Sequence, residues 1–272
     1  MSCAKIESVA DAEMLARRRV PPGVFQLFEG GSGAGVSLRR NVAAFHDVMF
    51  RPRNAVSMES VDVSTTVLGD RMGLPLMLAP VGFLRAAHPD GEIGATRAAA
   101  TAGIGQIISG VTTTPIEEIV AAASGPIDFQ MYYFASRART EPVLDRVREA
   151  GVRGLVLTVD APVLRRVRRE VPYPRRRQSP RSTGWSDLLR FGPQAASHPR
   201  WAWDMARRQG LRLPEIAMAP PGSGHQHDFW SDLMSVGQQT PSWSDLEWLR
   251  RRWSGPVIVK GILRVDDAMR AV

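Results

Sequence analysis

One unit recurs from Leu74 onward: a short apolar strand, a helix, then another strand roughly 25 residues later. Residues 74–80, 105–109, 127–133, 154–160 and 256–260 read as the strands. The alanine-rich stretch 91–102, the proline-started 115–120 and the mixed-charge 140–150 read as helices between them. Strands separated by crossover helices pair in parallel, and near-continuous apolar strands are covered on both faces. The sheet is therefore either doubly wound or a barrel. No Gly-x-Gly-x-x-Gly follows the first strand, so a Rossmann dinucleotide site lacks its fingerprint. Polar side chains gather instead at the carboxyl ends of successive strands: Ser109, then Gln130 and Tyr132, then Thr158 and Asp160, then Lys260. Barrel enzymes assemble their sites at those ends. The expected fold is α/β, a (β/α)8 TIM-type barrel, incomplete at about five of eight βα units and occupying residues 74–272.

Residues 1–73 precede it. Ser8 caps a helix running to about Arg19, Pro21-Pro22 starts a second that stops at Gly30-Gly31, and residues 61–73, with Thr65-Thr66-Val67 and Gly69-Asp70, read as a short hairpin. An insertion at about 163–240, rich in Arg, Pro, Gly and Trp, separates the fourth strand from the fifth. Loops of such length are lids, binding excursions or partly disordered segments.

Lys260 ends the apolar run Pro256–Ile262, and the only other lysine is Lys5; all remaining cationic side chains, histidine aside, are arginines. Lysine is a compact point charge whose protonation follows its surroundings, whereas arginine is a permanently charged fork. A lone lysine closing a buried strand places a cation at a chemical centre, or else snorkels from the strand end to water.

The single cysteine, Cys3, gives neither a disulfide framework nor a thiolate metal site, which fits a reducing cytoplasm. The first residues carry charge of both signs, unlike a signal peptide, and no apolar run nears the roughly 18 residues that span a bilayer. The net charge of +8 is concentrated in 165–181, which holds eight arginines against Glu170. Tyr173 is the only aromatic among those charges, so nucleic acid is not the expected partner. A solvated loop, or contact with an anionic membrane surface at its inner face, accounts for the block better. His225 and His227 lack a third metal ligand, so no metal site is expected.

Nine motifs in order carry a family resemblance: Asn41-x-x-Ala44-Phe45, Leu78-Ala-Pro-Val-Gly82, His88-Pro-Asp-Gly-Glu92, Pro115-Ile-Glu-Glu118, Phe129-Gln-Met-Tyr132, Leu157-Thr-Val-Asp-Ala-Pro162, His198-Pro-Arg-Trp-Ala-Trp203, Ser242–Trp248 and Val259-Lys-Gly261. With these the chain resembles the FMN-dependent 2-hydroxy acid dehydrogenases and oxidases, and the second and seventh motifs look closest to the bacterial L-lactate dehydrogenases. The resemblance implies FMN as cofactor and a lactate-like L-2-hydroxy acid as substrate, oxidised to the 2-keto acid. It further implies a quinone, another carrier or oxygen as electron acceptor, and self-association into a homo-oligomer. It assigns the backbone of Ala79, Pro80 and Val81 to the flavin face, and Ser109, Gln130 and Thr158 to the flavin edge. Lys260 would stand beside the flavin pyrimidine and stabilise negative charge on the reduced ring. Tyr132 would donate to the substrate, and Asp160 would stabilise a protonated catalytic histidine. Arg168 and Arg169 are the candidates for the substrate carboxylate. On the residues alone, Asp160 also reads as a turn or cap and Tyr132 as a core aromatic.

Three departures from the family pattern matter. A substrate-binding tyrosine of the family falls on Leu27, no His-Gly-x-Arg motif supplies a general base, and the phosphate-binding loops after the seventh and eighth strands are absent. The second function class is accordingly a truncated, catalytically inactive relative. On its own the chain is expected to bind FMN weakly or not at all, and the fifth strand to expose an apolar edge.

Overall fold

The structure is a computed structural model that describes residues 6–133, 136–160, 192–207 and 240–272. The chain divides into two compact units: 1–61 with 86–89 and 165–210, and 62–85 with 90–164 and 211–272.

In the first unit, α1 (Val9–Arg19) starts at Ser8, whose hydroxyl accepts from the Asp11 amide at 3.1 Å, satisfying one orphan donor of the first turn. Pro22 opens α2 (Pro22–Glu29), where its missing N–H costs nothing. Arg17 ties the pair together, bridging to Glu29 at 2.9 Å and lying 4.7 Å from the Phe25 ring centroid. The unit also contains α3 (Val36–Ala44) and α8 (Pro199–Arg207). Trp201 of α8 donates its indole N–H to the Ala86 carbonyl at 2.8 Å. Neither of these two helices is legible from the motifs alone.

The second unit opens with the expected hairpin, β1 (Thr65–Val67) antiparallel to β2 (Asp70–Met72). Among the described residues five parallel strands follow in sequential order: β3 (Met77–Leu78), β4 (Gly105–Ser109), β5 (Ile127–Met131), β6 (Gly154–Thr158) and β7 (Val257–Lys260). They form the half-barrel sheet of an incomplete (β/α)8 barrel, as the strand–helix repeat predicts. Some boundaries differ from expectation. Only two residues of 74–80 pair as β3, because Pro75 and Pro80 have no amide to give to a ladder. Strands β5 and β6 stop before Tyr132 and Asp160, so both side chains belong to the loops just beyond the sheet.

The connecting helices are α4 (Leu84–Ala87), α5 (Gly91–Ala102), α6 (Ile116–Ala121), α7 (Arg137–Glu149), α9 (Trp243–Arg252) and α10 (Val265–Ala271). Gly103 ends α5 in the left-handed conformation, φ 63°, returning its amide to Ala99 and Ala100. Helix α7 begins three residues earlier than the 140–150 pattern suggests, because the Ser136 hydroxyl caps it.

Register separates the two faces of the sheet. Phe129 pairs with Ile108 and Leu155, and Leu155 with Val257. Side chains in register share a face, and this one meets Ile116, Ile119, Val143, Leu144, Val147, Leu249 and Trp253 of the helical layer. Phe129 and Leu155 are fully buried there, and each such side chain contributes about 1.5–3 kcal/mol. The opposite face carries Asp128, Gln130, Val156, Thr158 and Lys260, with Ser109 in register with Gln130. In a closed barrel this would be the interior. Among the described residues β7 pairs with β6 alone, and Leu263, Val265 and Met269, which follow it, are exposed.

Candidate active site at the carboxyl ends of the strands

The inner face has chemically different ends. At its amino end Asp128, fully buried, accepts from Arg153 through both oxygens, with Nε to Oδ1 at 2.8 Å, and Arg153 also bridges to Asp70. The hydrogen bonds that Arg153 donates to Asp128 lead the causes that push its guanidinium above its ordinary range. Gly154 makes the pair possible, since a Cβ there would stand 2.7 Å from Asp128 Oδ1. A cavity of about 590 Å³ opens at the same end, lined by Gly103, Ile104, Gly125, Pro126 and Arg153 among others. These residues precede their strands, so the cavity lies away from the predicted site.

At the carboxyl end, Gln130 is the centre. Its amide donates to Thr158 Oγ1 at 2.8 Å, and its carbonyl oxygen accepts from Ser109 Oγ and the Gly110 amide, both at 3.4 Å. All three side chains are at least nine-tenths buried. The sequence-predicted trio therefore forms one hydrogen-bonded row across β4, β5 and β6.

Thr158 is in register with Lys260, and Lys260 Nζ stands 3.7 Å from Asp160 Oδ1 with both side chains partly exposed. Gly261 admits Asp160 to this position: its φ is 107°, and a Cβ there would lie 2.5 Å from Asp160 Cβ. Tyr132 follows directly on β5 and is partly buried. Burial first, then the Asp160 carboxylate, push its phenol above the ordinary tyrosine value, against hydrogen bonding with Gln130. It also packs against the helix-side core, in keeping with the core-aromatic reading of the sequence.

Ala79 and Val81 are exposed and Pro80 half-buried just past β3. The turn after them is strained: Phe83 adopts φ 62°, held by a hydrogen bond from its amide to the Val111 carbonyl at 3.3 Å. Gly82 has no room for a side chain, because a Cβ would stand 2.3 Å from Val111 Cγ2. Sequence reasoning assigned no role to Gly82, Phe83 or Val111; the glycine directly after Leu-Ala-Pro-Val was the available signal.

The structure thus brings Ser109, Gln130, Tyr132, Thr158, Asp160 and Lys260 to one end of the sheet. Arg168, Arg169, the arginine block at 165–181, His225 and His227 lie outside the described residues. The described histidines, His46, His88 and His198, all belong to the first unit. Among them His198 Nδ1 lies 3.0 Å from the Gln194 carbonyl oxygen. Among the described residues no cluster of three His, Cys, Asp or Glu could hold a metal, and no helix is long and apolar enough to cross a membrane.

Residues 16–272 match the family described as FMN-dependent dehydrogenase. The chain is 34% identical to pre-mycofactocin synthase of Mycobacterium tuberculosis over its whole length, spanning 67% of that protein. It is 36% identical to L-lactate dehydrogenase of Xanthomonas campestris over 98% of its length, spanning 68% of that relative. Among solved structures, the monotopic membrane protein (S)-mandelate dehydrogenase superposes with a TM-score of 0.80 at 26% identity, over 98% of this chain and 69% of that one. Mandelate oxidase superposes at 0.71 and 29% identity, over 98% of this chain and 66% of that one.

Proposed function

Because the chain belongs to the FMN-dependent dehydrogenase family, we propose that it takes part in oxidising an L-2-hydroxy acid, lactate-like in size, to the 2-keto acid. The observation that carries this is the buried Ser109–Gln130–Thr158 row ending beside Lys260. A primary amide and two hydroxyls supply donors and acceptors side by side, as the edge of a flavin requires. The 3.4 Å bonds to the Gln130 oxygen are long for such groups, so Ser109 and the Gly110 amide fit a ligand acceptor without losing a strong internal bond. These residues, with the backbone of Ala79, Pro80 and Val81, would hold FMN, which when bound supplies two-electron acceptor chemistry.

The remaining roles fall to the chain's own side chains. Lys260 places positive charge at the row's end, where negative charge develops on transfer. Tyr132, kept as a neutral phenol by burial, donates a hydrogen bond to the substrate. Asp160, held between Lys260 and Gly261, orients and stabilises a cationic base. Arg168 and Arg169 remain the proposed carboxylate partners. Substrate size follows from the lactate and mandelate relatives, whose names span a methyl and a phenyl side chain. The electron acceptor is a quinone, another carrier or oxygen. Association with an anionic membrane face draws support from the monotopic mandelate dehydrogenase and the clustered arginines, and self-association into a homo-oligomer completes the proposed partners.

FMN titrated into the protein should show a weak but saturable shift of its visible bands, lost in Gln130→Leu. Under anaerobic conditions the bound flavin should bleach with L-lactate or (S)-mandelate. No spectral change at any ratio would sink the proposal.

A further inference from the structure

Glu92, in the first turn of α5, is 1% exposed, yet none of its described partners is a cation. A buried carboxylate is costly unless hydrogen-bonded, and its bonds all come from one loop. The Thr113 amide donates to Oε1 at 2.8 Å, the Thr113 hydroxyl lies 2.8 and 2.9 Å from the two oxygens, and the Thr114 hydroxyl donates to Oε2 at 2.8 Å. That loop leaves β4 directly after Ser109, and Thr112, Thr113 and Thr114 are all buried. A first-turn carboxylate also favours the helix dipole, but that needs no buried loop wrapped around it.

The loop in turn holds the segment after β3. Thr113 Oγ1 accepts from the Arg85 amide at 3.1 Å, its carbonyl accepts from Arg85 Nη1 at 3.4 Å, and the Val111 carbonyl accepts from the Phe83 amide. The positive-φ turn at Phe83 and the close fit of Gly82 against Val111 thus hang from a loop that Glu92 anchors. The Val111 amide donates to Ser109 Oγ at 3.2 Å, so the same loop also orients the first member of the buried row.

We infer that Glu92 is a positioning residue: through Thr113 and Thr114 it fixes the loop after β4 and, through that loop, both Ser109 and the backbone of Pro80–Phe83 on which the flavin ring would lie. The functional half of this inference rests on the proposed flavin site; the structural half does not.

Native-state hydrogen exchange read by mass spectrometry, paired with FMN titration, separates the two. Glu92→Leu keeps the volume and removes every acceptor, whereas Glu92→Gln keeps one acceptor oxygen. In Glu92→Leu, exchange in peptides covering 80–86 and 109–115 should rise about tenfold or more, with 127–131 and 154–158 unchanged. The same variant should weaken FMN binding about fivefold or more, and Glu92→Gln should recover most of both effects. A uniform rise across all four regions would reduce Glu92 to a general stability residue and overturn the inference, as would unchanged loops. Should Glu92→Leu not fold, Thr113→Val must show the same local pattern at smaller amplitude, and its absence is equally fatal. Wild-type protein that does not perturb FMN would count against the flavin site, while exchange would still decide the anchor.

Discussion

Asp128→Asn tests whether the two ends of the inner face have different jobs. The substitution keeps the shape of the side chain and its bond to Arg153 Nε while deleting the charge. Breaking one half of a buried ion pair costs about 3–5 kcal/mol, because the other charge stays desolvated. Here Asp128 is fully buried and the Arg153 side chain is 17% exposed, with Asp70 still available. The lower end therefore applies, about 3 kcal/mol, which corresponds to a fall in Tm of roughly 6–12 °C for a chain of this size. Asp70 is 42% exposed, so Asp70→Asn should cost less than about 1 kcal/mol. Urea and thermal unfolding followed by circular dichroism would measure both. The shift of FMN's visible bands should survive in Asp128→Asn once the protein is kept below its lowered Tm. Equal costs for the two variants would refute the reasoning, since burial and not contact is what separates them.

Two further outcomes are expected. Lys260→Met should lower stability by less than about 1 kcal/mol, because the Lys260–Asp160 pair is 44% and 41% exposed, yet sharply slow bleaching of the bound flavin by L-lactate; Lys260→Arg should restore only part of that rate, and a normal rate in Lys260→Met would return Lys260 to a solvated strand end. Burial pushes the Asp245 carboxyl up, but hydrogen bonds from Ser242, Tyr133 and Arg137 outweigh it and hold the carboxyl below its usual range; stability from this source is present above the unfolded value of about 4 and lost as pH falls through the lower folded one, so Asp245→Asn should flatten the acid side of the Tm–pH profile, and an unchanged slope would argue against it.

The order and direction of the strands were legible in the sequence because each βα unit is local: its apolar run, its helix and its turn residues are contiguous, and crossover helices force parallel pairing. For the same reason Ser109, Gln130, Thr158 and Lys260 could be placed together, since a strand's end is a sequence position and parallel strands align their ends. Tertiary structure decided what depends on register and on contacts between units of the repeat. Alternation along β5 already puts Asp128 on the face of Gln130 rather than that of Phe129, but only the fold brings Arg153 and Asp70 to it. Gly154 and Gly261 look like ordinary strand-end glycines until the carboxylates they admit are seen beside them. Glu92 stood in a recognised motif with no role, because its partners lie 21 and 22 residues away in a threonine run with no local signal. A buried carboxylate takes its meaning from the donors packed around it, and those are set by the fold.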